Sequence, residues 1–346
     1  MSSTVISSVI VINHSWLKRY GTEEAHDFIS IANNELEDEI KQLSSKFFLN
    51  SYLNKKLAVS IKYVSEEKYG NEIHKNNRFF TLASIPKTYI EISVTLNYTK
   101  KEILNFKKHF GLASTSKDRF LMDMRSRVAE QLDELVWDIL IYIELSKLGV
   151  VSFSDRYIFY DNIFHRETKR FRTPVREAIQ LSSKHSWPPL ATIPLSNIVK
   201  WLSINKPERV IARTMLDKAV ASFSNLASDK SHLKLIWALI GLETLYCSGN
   251  SGLQAQLIEK SETFLGKRTA YKKVFPKMYN YRSRLVHGEI PIPFPNKTDY
   301  DESLELSVEN DEYEIIAIGI LLSTLQKMCN ESLKELNFSY QLVKNA

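Results

Sequence analysis

The sequence of 346 residues is poor in cysteine, glycine and proline. Its two cysteines, Cys247 and Cys329, form no CxxC pair and no cysteine–histidine cluster, which excludes a disulfide-built scaffold and argues against a structural zinc site. Ten glycines and ten prolines exclude collagen-like and low-complexity chains. The simplest interpretation is two free thiols in a reducing compartment.

Long apolar runs are also missing. The longest, from Ile315 to Leu322, has eight residues, whereas about 20 are needed to span a bilayer. The N-terminal residues lack the basic region and the small-residue cleavage site of a signal peptide. We therefore expect a cytoplasmic protein that makes no contact with a membrane.

The common catalytic and cofactor signatures are absent: the sequence has no GxGxxG, Walker loop, HExxH, GxSxG or EF-hand spacing. We therefore predict neither a cofactor nor a metal ion.

What the sequence does contain is enough apolar material for packed cores, with 44% hydrophobic and 11% aromatic residues. Its length suggests two domains. Residues 1–195 mix strand and helix patterns and are predicted to form an α+β domain. The predicted strands are Val5–Ile12, Arg78–Ile85, Thr88–Tyr98 and Val150–Tyr160, and the predicted helices are Glu23–Phe48 and Lys117–Lys147.

The proline- and serine-rich stretch between about 180 and 205, which includes Trp187-Pro188-Pro189, is predicted to be the boundary between the domains. Residues 205–346 then show only helical periodicity and predict an all-α bundle. Its second helix is apolar almost all round and is predicted to be the most buried. The five predicted helices are Pro207–Leu226, His232–Cys247, Leu253–Leu265, Pro276–His287 and Asp311–Leu333.

Charge is distributed unevenly, although the net charge is only +6. The segment Lys260–His287 carries eight basic residues and one acidic residue, which gives +7, whereas Asp299–Glu314 carries eight acidic residues and no basic one. These blocks are either solvated faces, partners for each other, or a nucleic-acid surface. A second basic cluster, Arg166–Arg176, is interleaved with phenylalanine and is either a solvated loop or a track for a nucleic-acid backbone.

One group of residues, near the end of the fourth predicted helix, has side chains suited to catalysis. Residues 279–288 read Tyr-Asn-Tyr-Arg-Ser-Arg-Leu-Val-His-Gly, so Arg282 and His287 are separated by four residues. Together with Ala238–Tyr246, this region resembles the HEPN domains, and its ending is most similar to the Apea-like branch. HEPN domains carry an Arg-x4-6-His motif in which a polar residue commonly follows the arginine, here Ser283. A second match, Arg19 to His26, spans a glycine in an unrelated context and is regarded as a decoy.

The resemblance covers residues 205–335 and implies an all-α HEPN-like helical bundle after the α+β domain. It further implies a metal-independent endoribonuclease that acts on RNA as a homodimer, a toxin or effector in stress or phage defence. Arg282, Ser283 and His287 are then the catalytic residues. Imidazole exchanges protons near neutral pH, and a guanidinium fork can oppose charge that develops on a phosphoryl group.

Supporting roles are predicted for Arg284 and for Glu243, since a carboxylate within an apolar helix needs a partner such as a base of the fourth helix. The candidate RNA-binding residues are Lys267, Arg268, Lys272, Lys273 and Lys277.

Structural alternatives stay open for each of these residues. His287 could cap its helix, Arg282 and Arg284 could be solvated or paired with the acidic block, and Glu243 could form a purely structural ion pair. The functional alternatives are a non-catalytic HEPN module that binds RNA, a nucleotide or a protein partner, and an adaptor whose bundle only dimerises. The N-terminal domain is predicted to be a sensor or regulator, with a regulatory protein as a further partner.

Overall fold

A computed structural model of the protein describes residues 2–13, 36, 38–40, 48–50, 56–64, 87–109, 111, 117–150, 156–160, 163–167, 175–205, 211–228, 233–249, 251–291 and 300–339. The chain divides into two compact units. The sheet unit comprises Met1–Glu144 and Val150–Phe171, and the helical unit comprises Leu145–Gly149 and Arg172–Ala346.

The sheet unit is built on a six-stranded sheet in the order β2-β3-β4-β1-β5-β6, in which neighbouring strands run antiparallel. Both faces of the central strand are covered, because the adjacent Val9 and Ile10 point to opposite faces and are fully buried. The strands are β1 (Ser2–Asn13), β2 (Phe48–Asn50), β3 (Lys56–Val64), β4 (Lys87–Tyr98), β5 (Arg156–Tyr160) and β6 (Ile163–Glu167).

Among the described residues of this unit, two helices follow β4. The first, α1 (Lys100–His109), was missed by the sequence analysis and begins with a reciprocal cap: the Thr99 N–H donates to Glu102 Oε2 at 2.7 Å, and the Glu102 N–H donates to Thr99 Oγ1 at 3.3 Å. The second, α2 (Lys117–Ser146), confirms the long helix predicted from its three- and four-residue apolar spacing. The predicted stripe from Val128 to Ile143 is buried.

The predicted strands Val5–Ile12 and Thr88–Tyr98 are confirmed as the neighbours β1 and β4. The predicted strand Arg78–Ile85 lies outside the described residues, as does most of the predicted helix Glu23–Phe48. At the start of the second basic cluster, Arg166 lies in β6 opposite Tyr157 of β5, whereas residues 168–174 lie outside the described residues.

Among the described residues of the helical unit from Val175 onward, helices are the only regular secondary structure, which confirms the predicted all-α character. Predicted and observed bounds agree closely for α6, α7 and α8. The helices are α3 (Val175–His185), α4 (Leu195–Asn205), α5 (Met215–Ser228), α6 (Lys234–Tyr246), α7 (Leu253–Leu265), α8 (Val274–Val286) and α9 (Tyr300–Asn330).

The centre of this unit is α9, which contacts α3, α4, α6, α7 and α8 and is buried at every residue from Ile316 to Gln326. The prediction that α6 would be the most buried helix is therefore wrong. Although α6 is apolar almost all round, its Ile240 remains 38% exposed. Its inner face includes Gly241, where a Cβ atom would approach Leu321 to 3.1 Å, so the glycine allows α6 to pack closely on α9.

The predicted linker belongs to the helical unit. Ser323 Oγ donates to Pro189 O at 2.6 Å, and the Trp187 indole N–H donates to Gly266 O at 2.9 Å. Gln326 binds both the N–H and the carbonyl of Ala191. The proline segment therefore lies inside the helical unit, whose longer part begins at Arg172, and not at a boundary between 180 and 205, because side chains far along the chain hold it.

The start of α5 also differs from the prediction. It begins at Met215, where Thr214 and Asp217 cap each other: the Asp217 N–H donates to Thr214 Oγ1 and the Thr214 N–H donates to Asp217 Oδ2, both at 3.1 Å. Pro207, the predicted first-turn residue, lies outside the described residues. Ile211, which lies within the predicted helix Pro207–Leu226, precedes the observed helix and is exposed.

A buried carboxylate lies near the N-terminal end of the buried part of α9. Glu314 is 3.7 Å from Lys234 Nζ of α6 and accepts a hydrogen bond from Asn310 Nδ2 at 3.3 Å. Burial raises the pKa of Glu314 from 4.5 to about 7; Lys234 lowers it by less, and Asp311 and Glu177 add to the rise. This carboxyl group therefore changes its charge near neutral pH.

We expect Glu314 to make the helical unit less stable as the pH rises. Its folded-state pKa lies above the ordinary value, so its contribution to stability is fully present below pH 4.5 and is lost as the pH rises through 7. Across that window the contribution is about 3 kcal/mol. Urea unfolding at several pH values should show this loss in the wild type but not in Glu314→Gln. Glu312→Gln, at an exposed carboxylate, is the control, and parallel pH curves for wild type and Glu314→Gln would contradict the prediction.

Candidate functional site

The helix α8 carries the motif and has two distinct faces. Its buried side chains recur every three or four residues and pack into the bundle: Val274, Phe275, Met278, Tyr281 and Leu285. The same spacing brings polar side chains onto the outer face. The exposed ones, from the cap onward, are Lys273, Lys277, Asn280, Ser283 and His287. Arg284 is half-buried beside them.

His287 is the C-terminal cap of α8. Its backbone N–H donates to Ser283 O at 3.0 Å, and the chain turns at Gly288, whose φ of +75° lies in the left-handed region that favours glycine. The imidazole is exposed, and no hydrogen bond or ion pair joins it to other residues of the described ranges. The helix is therefore capped by its backbone rather than by the His287 side chain, which lies at the negative end of the helix dipole.

Arg282 points toward α6, away from the outer face. Its Nη2 atom is 3.6 Å from Glu243 Oε2, and the two side chains are 36% and 16% exposed. The sequence-based suggestion that Glu243 pairs with a basic residue of α8 is thus met by Arg282. Five positions along a helix correspond to roughly 140° of rotation, so Arg282 and His287 lie on different sides of α8.

Two further side chains that the sequence analysis missed belong to this neighbourhood. Tyr279 lies one turn before Arg282, and burial, followed by the negative charge of Glu243, raises the pKa of its hydroxyl. Cys247 lies one turn after Glu243, and burial, followed by the same carboxylate, raises the pKa of its thiol to about 11 against the opposing effect of Lys260. Their positions one helical turn from Glu243 and Arg282 were the only signal available in the sequence.

The basic segment is only partly available to a ligand. Lys267, Lys272, Lys273 and Lys277 are exposed, as a nucleic-acid surface requires. Arg268, which was predicted to bind RNA, is engaged inside the unit instead.

Its Nε atom is 2.6 Å from Glu262 Oε1, its side chain is 10% exposed, and its guanidinium lies 4.8 Å from the centroid of the Phe275 ring. Lys260 is buried and donates to Gln256 Oε1 at 2.9 Å. The +7 segment therefore offers fewer free cations than its sequence suggests.

The acidic block is helical from Tyr300 onward as part of α9, and the side chains of residues 300–309 lie outside the described ones. In its last turn, Glu314 pairs with Lys234 and not with the basic segment.

Both cysteines are free. Within the described residues, no group of three or more His, Cys, Asp or Glu side chains is arranged to hold a metal ion. None of the described helices is both long enough and apolar enough to cross a membrane.

Comparison of the chain with known protein families, with curated proteins and with solved structures found no match.

Proposed function

We propose that the helical unit is a HEPN-type, metal-independent endoribonuclease that serves as a toxin or effector in stress or phage defence. The observation that carries this proposal is the arrangement on α8. A guanidinium is held 3.6 Å from a half-buried carboxylate, and an exposed imidazole lies less than two turns further along the same helix. An arginine fixed by Glu243 is preorganised to oppose phosphoryl charge, and a free imidazole is available for proton transfer.

In the proposed reaction, a ribose 2′-oxygen attacks the adjacent phosphorus atom. The new bond from the 2′-oxygen to phosphorus forms as the bond from phosphorus to the 5′-oxygen breaks. One imidazole takes the proton of the 2′-hydroxyl, and a proton is delivered to the departing 5′-oxygen. Arg282 stabilises the charge on the phosphoryl oxygens, and the products end in a 2′,3′-cyclic phosphate and a 5′-hydroxyl. Ser283, exposed one turn before His287, is available to contact the phosphate.

The divergence of Arg282 and His287 on α8 favours assembly as a homodimer, because two copies would supply both groups from two directions to one phosphate. The sheet unit is proposed to sense or regulate, together with a regulatory protein partner. Light scattering at micromolar concentration should give a particle of twice the 40.0 kDa chain mass. A 40.0 kDa particle with and without RNA would oppose the dimer.

The deciding assay is purified full-length protein with a mixed-sequence RNA in EDTA, with the chemistry of the product ends determined. Cleavage in chelator that leaves 2′,3′-cyclic phosphate is expected. Loss of cleavage in EDTA would rule out the metal-independent mechanism.

The alternative is a non-catalytic HEPN module that binds RNA, a nucleotide or a protein. This non-catalytic alternative is favoured if the ion pair between Arg282 and Glu243 serves only to join α6 to α8.

RNA binding is expected to depend strongly on salt, because each phosphate neutralised by an exposed lysine releases counterions. Lys272→Ala and Lys273→Ala should each weaken binding at low salt, reduce the salt slope by about 1 and leave sequence preference unchanged. Lys218→Ala, at an exposed lysine of α5, is the control. Fluorescence anisotropy across a salt series measures both quantities, and affinity that stays flat with salt would identify the lysines as an ordinary solvated surface.

A further inference from the structure

Two polar atoms beside Arg282 are buried and lack a hydrogen-bond partner among the described residues: Glu243 Oε1 and the Tyr279 hydroxyl. Glu243 uses only its other oxygen, Oε2, toward the guanidinium. A buried acceptor or donor that remains unpaired loses its hydrogen bonds to water without replacement, which destabilises the fold. Native proteins keep few such groups, and those they keep tend to have a functional reason.

The two unpaired atoms belong to one neighbourhood. Tyr279 and Arg282 are three residues apart on α8 and so lie on adjoining parts of its surface, and Arg282 contacts Glu243 directly. Burial raises the pKa of the Tyr279 hydroxyl first, followed by the charge of Glu243 and a side-chain hydrogen-bond interaction with it, and Arg282 opposes the rise. The two groups are therefore neighbours, although neither atom reaches full hydrogen-bond geometry. The hydroxyl consequently stays protonated at physiological pH and remains a hydrogen-bond donor facing a carboxylate.

The planar geometry of a carboxylate links the unpaired oxygen of Glu243 to the oxygen that faces Arg282. Its two oxygens lie in one rigid plane, so a hydrogen bond that fixes Oε1 also fixes the direction in which Oε2 faces the guanidinium. Nothing else among the described residues binds Oε1. A short movement of either side chain would satisfy both buried atoms at once and hold Arg282 more firmly.

We propose that Tyr279 is a positioning residue of this site: its hydroxyl donates to Glu243 Oε1 and so orients the carboxylate that holds the Arg282 guanidinium toward the RNA phosphate. The catalytic part of this inference rests on the proposed ribonuclease function. Tyr279 itself does not touch the reacting atoms, and it acts through Glu243 on Arg282.

The test variant is Tyr279→Phe, which keeps the ring and removes only the hydroxyl. Its matched control is Tyr271→Phe, because the Tyr271 hydroxyl is also buried without a partner but responds to Glu312 rather than to Glu243. In full-length protein, Tyr279→Phe should lower kcat for RNA cleavage by about 10-fold with KM nearly unchanged. Tyr271→Phe should change neither.

A second measurement does not depend on cleavage. An arginine-directed dicarbonyl reagent, read by peptide mass spectrometry, should modify Arg282 about threefold faster in Tyr279→Phe than in wild type, because the guanidinium is held less firmly. The exposed Arg213 should react at the same rate in both proteins. Glu243→Gln should raise the modification of Arg282 at least as much, and adding Tyr279→Phe to it should produce no further rise, since the two residues act through one contact.

The outcomes separate this inference from the proposed function. An unchanged rate of Arg282 modification in folded Tyr279→Phe overturns the positioning role. Faster modification of Arg282 in Tyr279→Phe with unchanged kcat overturns the catalytic part of the inference. If the wild type does not cleave RNA, the proposed function fails, and the modification rates still decide whether Tyr279 orients Arg282. Thermal melting of each variant, followed by circular dichroism, shows whether it is folded.

Discussion

Replacing His287 by alanine is expected to lower the rate of RNA cleavage by about 10²- to 10⁴-fold, the range typical of a lost general acid–base group. The imidazole is exposed and has no hydrogen bond or ion pair with other described residues, and α8 is capped by backbone bonds at His287 and Gly288. Removing the side chain should therefore leave folding almost unchanged, so the loss of rate would report on chemistry.

The matched control is His26→Ala, which removes the histidine of the other Arg-x4-6-His match in the sequence. It should leave the rate unchanged. Both variants should be compared in EDTA at equal concentration, together with their melting temperatures. Cleavage that survives unchanged in folded His287→Ala would show that His287 takes no part in the reaction. The same pair can be used in cells, where expression that slows growth only when His287 is present would support a toxin.

Sequence periodicity located most of the helices because the buried faces of α2, α7 and α8 repeat every three or four residues, and this spacing is local. Pro276 also fitted the first turn of α8, and Gly266 and Gly288 fitted the residues just after the ends of α7 and α8. These features are decided within a few residues of the chain, so the sequence alone is sufficient to find them.

The errors concern partners that lie far apart in the chain. The segment from Pro188 to Ala191 was predicted to be a linker because Ser323, which binds Pro189, and Gln326, which binds Ala191, follow more than 130 residues later. Likewise, α6 is more apolar than α9, yet α9 occupies the centre because it is the helix that five others contact. Composition records how apolar a helix is and does not record how many neighbours surround it.

The candidate site shows the same division. The motif residues and the need of Glu243 for a partner were visible in the sequence, but its choice of Arg282 required the orientation of α8 against α6. Arg268 appeared to be a free cation because Glu262, which neutralises it, precedes it by six residues across the end of α7. The role proposed for Tyr279 rests on two unpaired buried atoms, which no sequence pattern reveals.

The second large effect is expected for Arg282. Arg282→Ala should lower the cleavage rate by about 10²- to 10³-fold, as the loss of one preorganised donor does at an oxyanion site. Arg282→Lys should recover only part of this rate, because an ammonium group keeps the charge but lacks the planar fork that can face Glu243 and a phosphoryl oxygen together.

A control must separate this loss from a loss of stability, because Arg282→Ala leaves the mostly buried Glu243 carboxylate without its partner. The double variant Arg282→Ala with Glu243→Gln removes that uncompensated charge and should restore the melting temperature while the rate stays low. Arg213→Ala, at an exposed arginine before α5, should change neither quantity. If the double variant regains the rate together with the melting temperature, the pair serves only to join α6 to α8, and Arg282 takes no part in catalysis.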